Sequence, residues 1–197
     1  MRVLVAGMTG MLGHKLAWAL NKRFEVSATL RRALPRLEHA LRFLSDRQIH
    51  FADAAKPESF CDVLQEARPD VVVNCIGIVK QQKAANDPVE CLTINSIFPH
   101  RLKRLCQDRG VRLIHISTDC VLSGRKGMYV ETDETDATDL YGRSKALGEI
   151  GDKGCLTIRT SIIGHEIGTR NGLLEWFISS KGKRVKGYAN AVFTGFP

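Results

Sequence analysis

The sequence has no CxxC pair and no group of histidines and cysteines at metal-ligand spacing. Its six cysteines are scattered, several within apolar segments, which is typical of small core residues in a reducing compartment. No apolar run approaches the roughly 18 residues that cross a bilayer. Met1 leads directly into a strand-like segment, without the leader of a secreted protein. These absences predict a cytoplasmic protein with no disulfide, no metal site and no membrane span.

The chain also lacks a continuous basic stripe, although its formal net charge is +8. The excess lysines and arginines are dispersed, and the acidic run ETDETDATD lies among them at 131–139. Nucleic acids are bound mainly by clustered positive charge with interleaved aromatic residues. The charge pattern therefore favours a small phosphate-bearing ligand over a nucleic-acid partner.

Short apolar runs alternate along the chain with segments of helical periodicity. Runs such as VVVNC and LIHIS are apolar almost throughout, as expected for parallel strands covered on both faces. The alternation predicts an α/β fold of the Rossmann type, with an open, doubly wound, mostly parallel sheet. The predicted strands are 2–6, 25–29, 48–51, 70–75, 111–116 and 155–159. The predicted helices lie near 11–22, 34–45, 57–67, 88–109, 140–150 and 172–181.

Two prolines and a glycine mark predicted helix boundaries. Pro57 and Pro88 lie in predicted first turns, where a missing N–H is tolerated. Gly110 follows the long helix 88–109, at the place where a left-handed residue commonly ends a helix.

The segment VAGMTGMLGHKL joins the first predicted strand to the first helix and contains three evenly spaced glycines. Gly7 permits a tight turn, Gly10 permits close approach of a pyrophosphate, and Gly13 permits close packing of helix on strand. A phosphate there would meet free N–H groups at the positive helix end. The alternative is a glycine-rich turn with no ligand. The cofactor contacts predicted in this loop are Gly7, Thr9, Gly10, Met11, Leu12 and Gly13.

Arg31 and Arg32 follow the second predicted strand. An NAD site usually has an acidic residue there, whereas a guanidinium fits the 2′-phosphate of NADP. The pair therefore favours NADP(H) as the cofactor, with NAD(H) as the alternative. Solvated surface arginines would give the same pattern.

Tyr141 and Lys145 lie four residues apart in YGRSK, so on a helix they share one face. A neighbouring ammonium lowers the pKa of a phenol and makes it a better proton exchanger. A solvated helix face with no chemistry is the alternative interpretation. The intervening Gly142, Arg143 and Ser144 are expected only to complete the turn.

Five motifs in order resemble those of the extended short-chain dehydrogenases/reductases. They are GMTGMLG, FAD, VVNCIG, ISTDCVLSG and YGRSK, and the resemblance extends to about residue 165. More narrowly, STDCVLSG, the ETD run and YGRSKALGE resemble the dTDP-4-dehydrorhamnose reductase group, whose members reduce 4-keto groups on nucleotide-linked deoxysugars. The resemblance implies an NADP(H)-dependent oxidoreductase that reduces a nucleotide-linked 4-keto-6-deoxy sugar in deoxysugar or surface-polysaccharide biosynthesis.

The resemblance also implies roles for particular residues. Tyr141 matches the catalytic tyrosine, Lys145 the lysine of YxxxK, and Thr118 the hydroxyl residue of the triad, with Ser117 as its rival. Asp53 matches an acidic residue near the adenine, and Asn95 an asparagine that supports the active site. The turn that passes the cofactor ribose corresponds to Asn74, Cys75, Ile76 and Gly77.

Two features depart from the family pattern. Cys120 and Leu122 stand where members of the group often have aromatic residues, so we expect a different substrate-facing wall and a sugar other than rhamnose. Full members also continue well past residue 197. We expect an NADP-binding domain over 1–165 and, over 166–197, the truncated start of a substrate-binding subdomain.

Other functions fit the same cofactor loop. One is an NDP-sugar epimerase or dehydratase, although dehydratases typically have an acidic residue where this chain has Cys120. Another is a non-catalytic NADP-binding regulatory module. Folds of this type commonly form homodimers, and a homodimer is the expected assembly.

Overall fold

The computed structural model describes residues 1–33, 38–167, 170 and 172–187 of the 197-residue chain. Strands and helices alternate along these residues. The strands are β1 (Arg2–Ala6), β2 (Glu25–Leu30), β3 (Ile49–Phe51), β4 (Val71–Asn74), β5 (Arg112–Thr118) and β6 (Cys155–Thr160). The helices are α1 (Met11–Leu20), α2 (Glu38–Leu41), α3 (Ser59–Ala67), α4 (Pro88–Leu92), α5 (Phe98–Gln107), α6 (Leu140–Leu147) and α7 (Leu173–Ser179).

The strands form one parallel sheet in the order β3-β2-β1-β4-β5-β6. Val5 of β1 is paired with Ala28 on one side and Val73 on the other. The direction of winding reverses between β1 and β4, and ligands of such sheets bind beyond the carboxyl ends of the strands at that point. The predicted doubly wound, Rossmann-type sheet is confirmed, and its cleft lies beyond Ala6 and Asn74.

Apolar side chains are buried on both faces of the sheet. On one face, Phe60 of α3 and Phe98 of α5 have ring centroids 5.1 Å apart and pack in one cluster with Leu4 and Leu113. On the other face, Ala17 of α1 belongs to a second cluster that includes residues of β1, β2 and β4. Burial of one such large side chain contributes about 1.5–3 kcal/mol. Burial on both faces explains the continuous apolar strands of the sequence.

Several predicted boundaries differ from those of the structure. Strand β5 continues to Thr118, beyond its predicted end at residue 116, because it stays paired with β6 up to Thr160. Helix α3 begins at Ser59, so Pro57 precedes the helix instead of occupying its first turn. Of the predicted helix 34–45, residues 34–37 lie outside the described residues, and α2 is the helical part that is described.

The predicted helix 88–109 is interrupted by a π-helical turn, Thr93–Ile97, between α4 and α5. The Phe98 N–H donates to the carbonyl oxygen of Thr93, five residues back. Pro99 has no N–H to donate to the carbonyl of Asn95, four residues back. The missing donor explains why the regular hydrogen-bond ladder shifts to the wider turn here.

The two other boundary residues behave as predicted. Pro88 is the first residue of α4, and Asp87 caps this helix through a 2.9 Å bond that the Val89 N–H donates to its Oδ1. Gly110 follows α5 with a φ of 65°, in the left-handed region. Both positions therefore follow the local rules for helix ends.

Helix α7 is present where a helix was predicted near 172–181. Of the run that follows, residues 184–187 form neither helix nor strand, and 188–197 lie outside the described residues. The division at residue 165 stays a prediction. None of the helices described is both long and apolar enough to cross a membrane.

Candidate functional site

The residues predicted for the site gather at the carboxyl edge of the sheet. The glycine loop follows β1, the arginine pair follows β2, and Asp53 follows β3. The turn 74–77 begins at the last residue of β4, and Thr118 is the last residue of β5. Tyr141 and Lys145 reach the same edge from α6, whose first turn lies next to the end of β5. Residues spread over more than a hundred positions thus gather at one edge of the sheet.

Close packing fixes the shape of the glycine loop. Gly7 has a φ of 87°, and a Cβ placed on it would lie 2.8 Å from Cγ1 of Ile76. A Cβ on Gly13 would lie 2.3 Å from the carbonyl oxygen of Gly7. Neither position accepts a side chain without movement of the backbone, so both glycines act as predicted in the packing of the loop.

The start of α1 is free to receive an anion. Gly10 caps this helix without a side-chain hydrogen bond, and the first turn contains no acidic residue. A Cβ on Gly10 would meet only the Gly7 carbonyl oxygen, at an ordinary 3.5 Å. The protein itself therefore does not require glycine at position 10, in contrast to positions 7 and 13. A pyrophosphate bound there would explain the glycine, because it would approach the backbone closely. It would also interact with the positive end of the helix.

Thr29 joins the glycine loop to β2. Its Oγ1 accepts from the Gly7 N–H at 3.1 Å, and its carbonyl oxygen accepts from the Met8 N–H at 3.1 Å. Arg31 and Arg32 follow immediately and are both exposed. Their guanidinium groups therefore extend from the strand end adjacent to the loop, where the 2′-phosphate of NADP was predicted to bind.

Asp53 lies on the neighbouring strand end and is half-buried. Its Oδ1 accepts from the Ala55 N–H at 3.0 Å, and its own N–H donates to Ser59 Oγ at 2.9 Å. These contacts order the turn into α3. They leave adenine recognition by Asp53 as a prediction.

Asn74 shapes the turn after β4 from inside the protein. It is fully buried, its Oδ1 accepts from the Ile76 N–H at 3.1 Å, and its Nδ2 lies 3.0 Å from Nδ1 of His115. Burial, together with the nearby Lys145 charge, lowers the pKa of His115 to about 3. His115 is therefore neutral and accepts at Nδ1, a role that no local pattern in the sequence indicated.

The ammonium group of Lys145 lies beneath the turn 74–77. It is 5% exposed, and Nζ donates to the carbonyl oxygen of Ile116 at 2.8 Å. A Cβ placed on Gly77 would lie 3.6 Å from Nζ. Burial lowers the pKa of Lys145 to about 8, against the opposing effects of Glu149 and Cys75. Lys145 is therefore mainly charged at neutral pH and adjacent to the turn predicted to pass the cofactor ribose.

Tyr141 lies in the first turn of α6, which Asp139 caps by accepting from the Gly142 N–H at 3.0 Å. The phenol is half-buried, and burial raises its pKa. A hydrogen bond from Thr118 acts in the opposite direction, while Cys120 and the nearby carboxyl groups raise the pKa further. The prediction that Lys145 lowers this pKa is wrong for this structure, because burial dominates and the ammonium is bonded to a backbone carbonyl instead.

The two candidate hydroxyls on β5 have different partners. Ser117 Oγ donates to Oε1 of Glu149 at 2.8 Å, and the same carboxylate is held by Arg159. Thr118 Oγ1 donates to Oδ1 of Asp119 at 3.1 Å, accepts from the Cys120 N–H at 3.2 Å and lies beside Tyr141. Because consecutive strand residues point to opposite faces, Ser117 and Thr118 are directed to different sides of the sheet. This geometry favours Thr118 over Ser117 as the hydroxyl in the cleft.

The expectation that Gly142 and Ser144 only complete a turn is wrong. A Cβ on Gly142 would lie 2.4 Å from the Cys120 carbonyl oxygen, so glycine is required for the contact with the segment after β5. Ser144 is fully buried and hydrogen-bonded to Asn95. Arg143 is exposed. Pro99 is a sequence signal for the irregular helix at Asn95. The hydrogen-bond partners of Asn95 could not be predicted, because they are distant in sequence.

Replacement of Gly13 tests the packing of the loop. We expect Gly13→Ala to lower the free energy of unfolding by about 1–3 kcal/mol, because the new methyl group overlaps the Gly7 carbonyl. Gly151→Ala is the matched control, since a Cβ there meets no atom within 4 Å. Thermal unfolding of both variants measures the difference. Equal midpoints would contradict the packing of the loop.

The pKa of Tyr141 gives a second test. Because burial favours the neutral phenol, we expect Tyr141 to ionise above the ordinary tyrosine value of about 10. Ultraviolet difference titration of the wild type and Tyr141→Phe isolates this phenol from the other two tyrosines. A Tyr141 midpoint below that of free tyrosine would show that the Lys145 charge dominates after all.

Comparison with known proteins places the chain in a family. The family model of the RmlD substrate binding domain matches residues 1–178. A dTDP-4-dehydrorhamnose reductase from Burkholderia thailandensis is 31% identical over 151 residues, which cover 76% of this chain and 45% of that protein. This chain spans about half the length of the curated relatives it matches.

Solved structures agree with this assignment. A hypothetical dTDP-4-dehydrorhamnose reductase from Sulfolobus tokodaii matches with a TM-score of 0.77 and 27% identity, over 94% of this chain and 64% of that chain. A dTDP-4-dehydrorhamnose reductase from Bacillus anthracis, solved in complex with NADP, matches with a TM-score of 0.61 and 26% identity, over 75% of this chain and 47% of that chain. The chain belongs to the RmlD substrate binding domain family.

Proposed function

We propose that this chain provides the NADP(H) site and the proton-donating side chain of an oxidoreductase that reduces a nucleotide-linked 4-keto-6-deoxy sugar. The observation that carries the proposal is the convergence of Thr118, Tyr141 and Lys145 beside the turn 74–77. A protonated phenol, a neighbouring hydroxyl and a buried ammonium are the groups that reduction of a ketone requires from the protein.

The residues of the cleft fit an NADP cofactor. The uncapped start of α1 and the open position at Gly10 suit a pyrophosphate, and exposed Arg31 and Arg32 suit a 2′-phosphate. The Bacillus anthracis relative was solved with NADP. We therefore propose NADP(H) as the preferred cofactor and NAD(H) as the alternative.

The chain's own residues divide the work of the reaction. A reduced nicotinamide, when bound, supplies the hydride that converts a ketone to an alkoxide. Tyr141, held protonated by its burial, donates its proton to that oxygen. Thr118 hydrogen-bonds the substrate oxygen and holds it against Tyr141. Lys145, charged below its pKa of about 8 and adjacent to Gly77, would hold the ribose of the bound cofactor.

The substrate class follows from the relatives. The Burkholderia thailandensis protein is named dTDP-4-dehydrorhamnose reductase, and we propose a related nucleotide sugar for this chain, in deoxysugar or surface-polysaccharide biosynthesis. Exposed Cys120 lies next to Thr118, where aromatic residues are common in the resembling group. A smaller side chain there leaves more room beside the sugar. We propose that residues 166–197 begin the substrate-binding region.

The same proposal covers location and assembly. Free thiols at Cys61, Cys91 and Cys106 suit a reducing cytoplasm. Dispersed positive charge suits a nucleotide-sugar substrate without a nucleic-acid partner. We propose a homodimer by analogy with folds of this type.

The arginine pair tests cofactor preference. In Arg31→Ala/Arg32→Ala, we expect the dissociation constant of NADPH to rise by about tenfold or more, because a charge-assisted phosphate contact is lost. The dissociation constant of NADH should change little. Fluorescence titration with both cofactors provides the measurement. A parallel loss of NADPH and NADH affinity would exclude a role specific to the 2′-phosphate.

Replacement of the phenol tests the proton donor. In Tyr141→Phe, we expect turnover of dTDP-linked 4-keto-6-deoxy sugars to fall by about 10²-fold or more, while the NADPH dissociation constant is retained. Tyr129→Phe is the matched control, since it is the same chemical change at a phenol that accepts from the backbone N–H of exposed Lys126. Oxidation of NADPH reports turnover, and fluorescence reports binding. Retained turnover in Tyr141→Phe would exclude Tyr141 as the donor, and wild-type binding without turnover would favour a binding module.

A further inference from the structure

A buried polar cluster lies between α6 and the irregular helix that contains α4 and α5. It consists of Cys91, Asn95 and Ser144, none of which is measurably exposed. Buried polar atoms of this kind are retained only when they are paired. The partners of the cluster show what it connects.

The hydroxyl of Ser144 has three neighbours. It donates to the carbonyl oxygen of Tyr141 at 2.8 Å and accepts from Nδ2 of Asn95 at 3.1 Å. The Cys91 sulfur lies 3.2 Å away. Because the single hydroxyl hydrogen is directed to Tyr141, the Cys91 thiol is the donor in that contact. A serine that bonds only a carbonyl three residues back is common in helices. Here the same oxygen also accepts a hydrogen bond from Asn95, which lies in the π-helical turn.

Asn95 extends the cluster to the loop after β4. Its Oδ1 accepts from the Ile78 N–H at 2.9 Å, and its Nδ2 donates to the Ile78 carbonyl oxygen at 3.1 Å. A Cβ on Gly77 would lie 3.4 Å from this Oδ1. The Asn95 side chain therefore fixes Ile78, which follows the turn predicted to contact the cofactor. Its amide uses both donors and its acceptor in these hydrogen bonds.

The backbone of Ser144 is held as well. Its carbonyl oxygen accepts from Ser96 Oγ at 2.7 Å, because the Gly148 N–H bonds to Lys145 instead. A Cβ on Gly148 would lie 1.9 Å from the Asn95 carbonyl oxygen, so the two helices approach closely. Helix α6, which carries Tyr141 and Lys145, is thus attached to the π-helical turn through the hydroxyl and the carbonyl oxygen of Ser144.

We propose that Ser144 is a positioning residue for the reaction. By joining the Tyr141 carbonyl to Asn95, and through Asn95 to Ile78, it sets the distance between the proton donor and the cofactor turn. This role rests on the proposed function, but the placement of Tyr141 can be measured without turnover.

The test compares Ser144→Ala with Thr157→Val. Thr157 is a matched control, since its hydroxyl bonds the backbone N–H and carbonyl of Ile150 and contacts no member of the cluster. In Ser144→Ala, we expect the Tyr141 titration midpoint to move towards that of free tyrosine, because the turn carrying the phenol loses its attachment. We also expect kcat to fall by about tenfold, with KM and the NADPH dissociation constant changed by less than about twofold.

A second pair of variants covers the case in which Ser144→Ala folds poorly. Cys91→Ala removes the thiol donor and should shift the Tyr141 midpoint in the same direction, and Cys91→Ser should reverse this shift because it restores a donor. An unchanged Tyr141 midpoint in Ser144→Ala and Cys91→Ala, equal to that of Thr157→Val, would overturn the proposal. Absence of turnover in the wild type would instead contradict the proposed function, while the titration would still decide the role of Ser144.

Discussion

The bond between the Lys145 ammonium and the Ile116 carbonyl joins the parts of the site to one another. A charge that is 5% exposed requires oxygen partners, and this one receives its partner from β5 at 2.8 Å. The same ammonium lies beneath Gly77, so the turn after β4, strand β5 and helix α6 must keep their relative positions. Displacement of β5 relative to α6 would leave this buried cation without the Ile116 carbonyl, at a considerable loss of stability.

Burial acts on Lys145 and Tyr141 in opposite senses, and both effects suit a proton donor beside a cofactor. It disfavours the charged form of each group, which raises the pKa of the phenol and lowers that of the ammonium to about 8. Below pH 8, Tyr141 is therefore protonated and Lys145 is mainly charged. As the pH rises through that value, Lys145 loses its charge before Tyr141 loses its proton.

The sequence was sufficient for the features that depend on local rules. Two-faced burial makes parallel strands recognisable, and Gly7 and Gly13 are predictable because only glycine fits a tight turn from strand to helix. The strand order and the partners of His115 and Ser144 were not predictable, since they join residues 41 and 49 positions away. The pKa of Tyr141 was predicted in the wrong direction because sequence spacing showed the neighbouring charge but not the extent of burial.

A second charged group, the Glu149 carboxylate, holds Ser117 and helps to keep Lys145 charged. Glu149 accepts three hydrogen bonds from Arg159, at 2.8, 2.9 and 3.2 Å, and one from Ser117 at 2.8 Å. The Ser117 hydroxyl is thereby engaged by Glu149, whereas Thr118, the next residue along the strand, lies beside the phenol. The same carboxylate raises the pKa of Lys145 and partly offsets the effect of burial. The Glu149–Arg159 ion pair thus holds the Ser117 hydroxyl and supports the charge of Lys145 beneath Gly77.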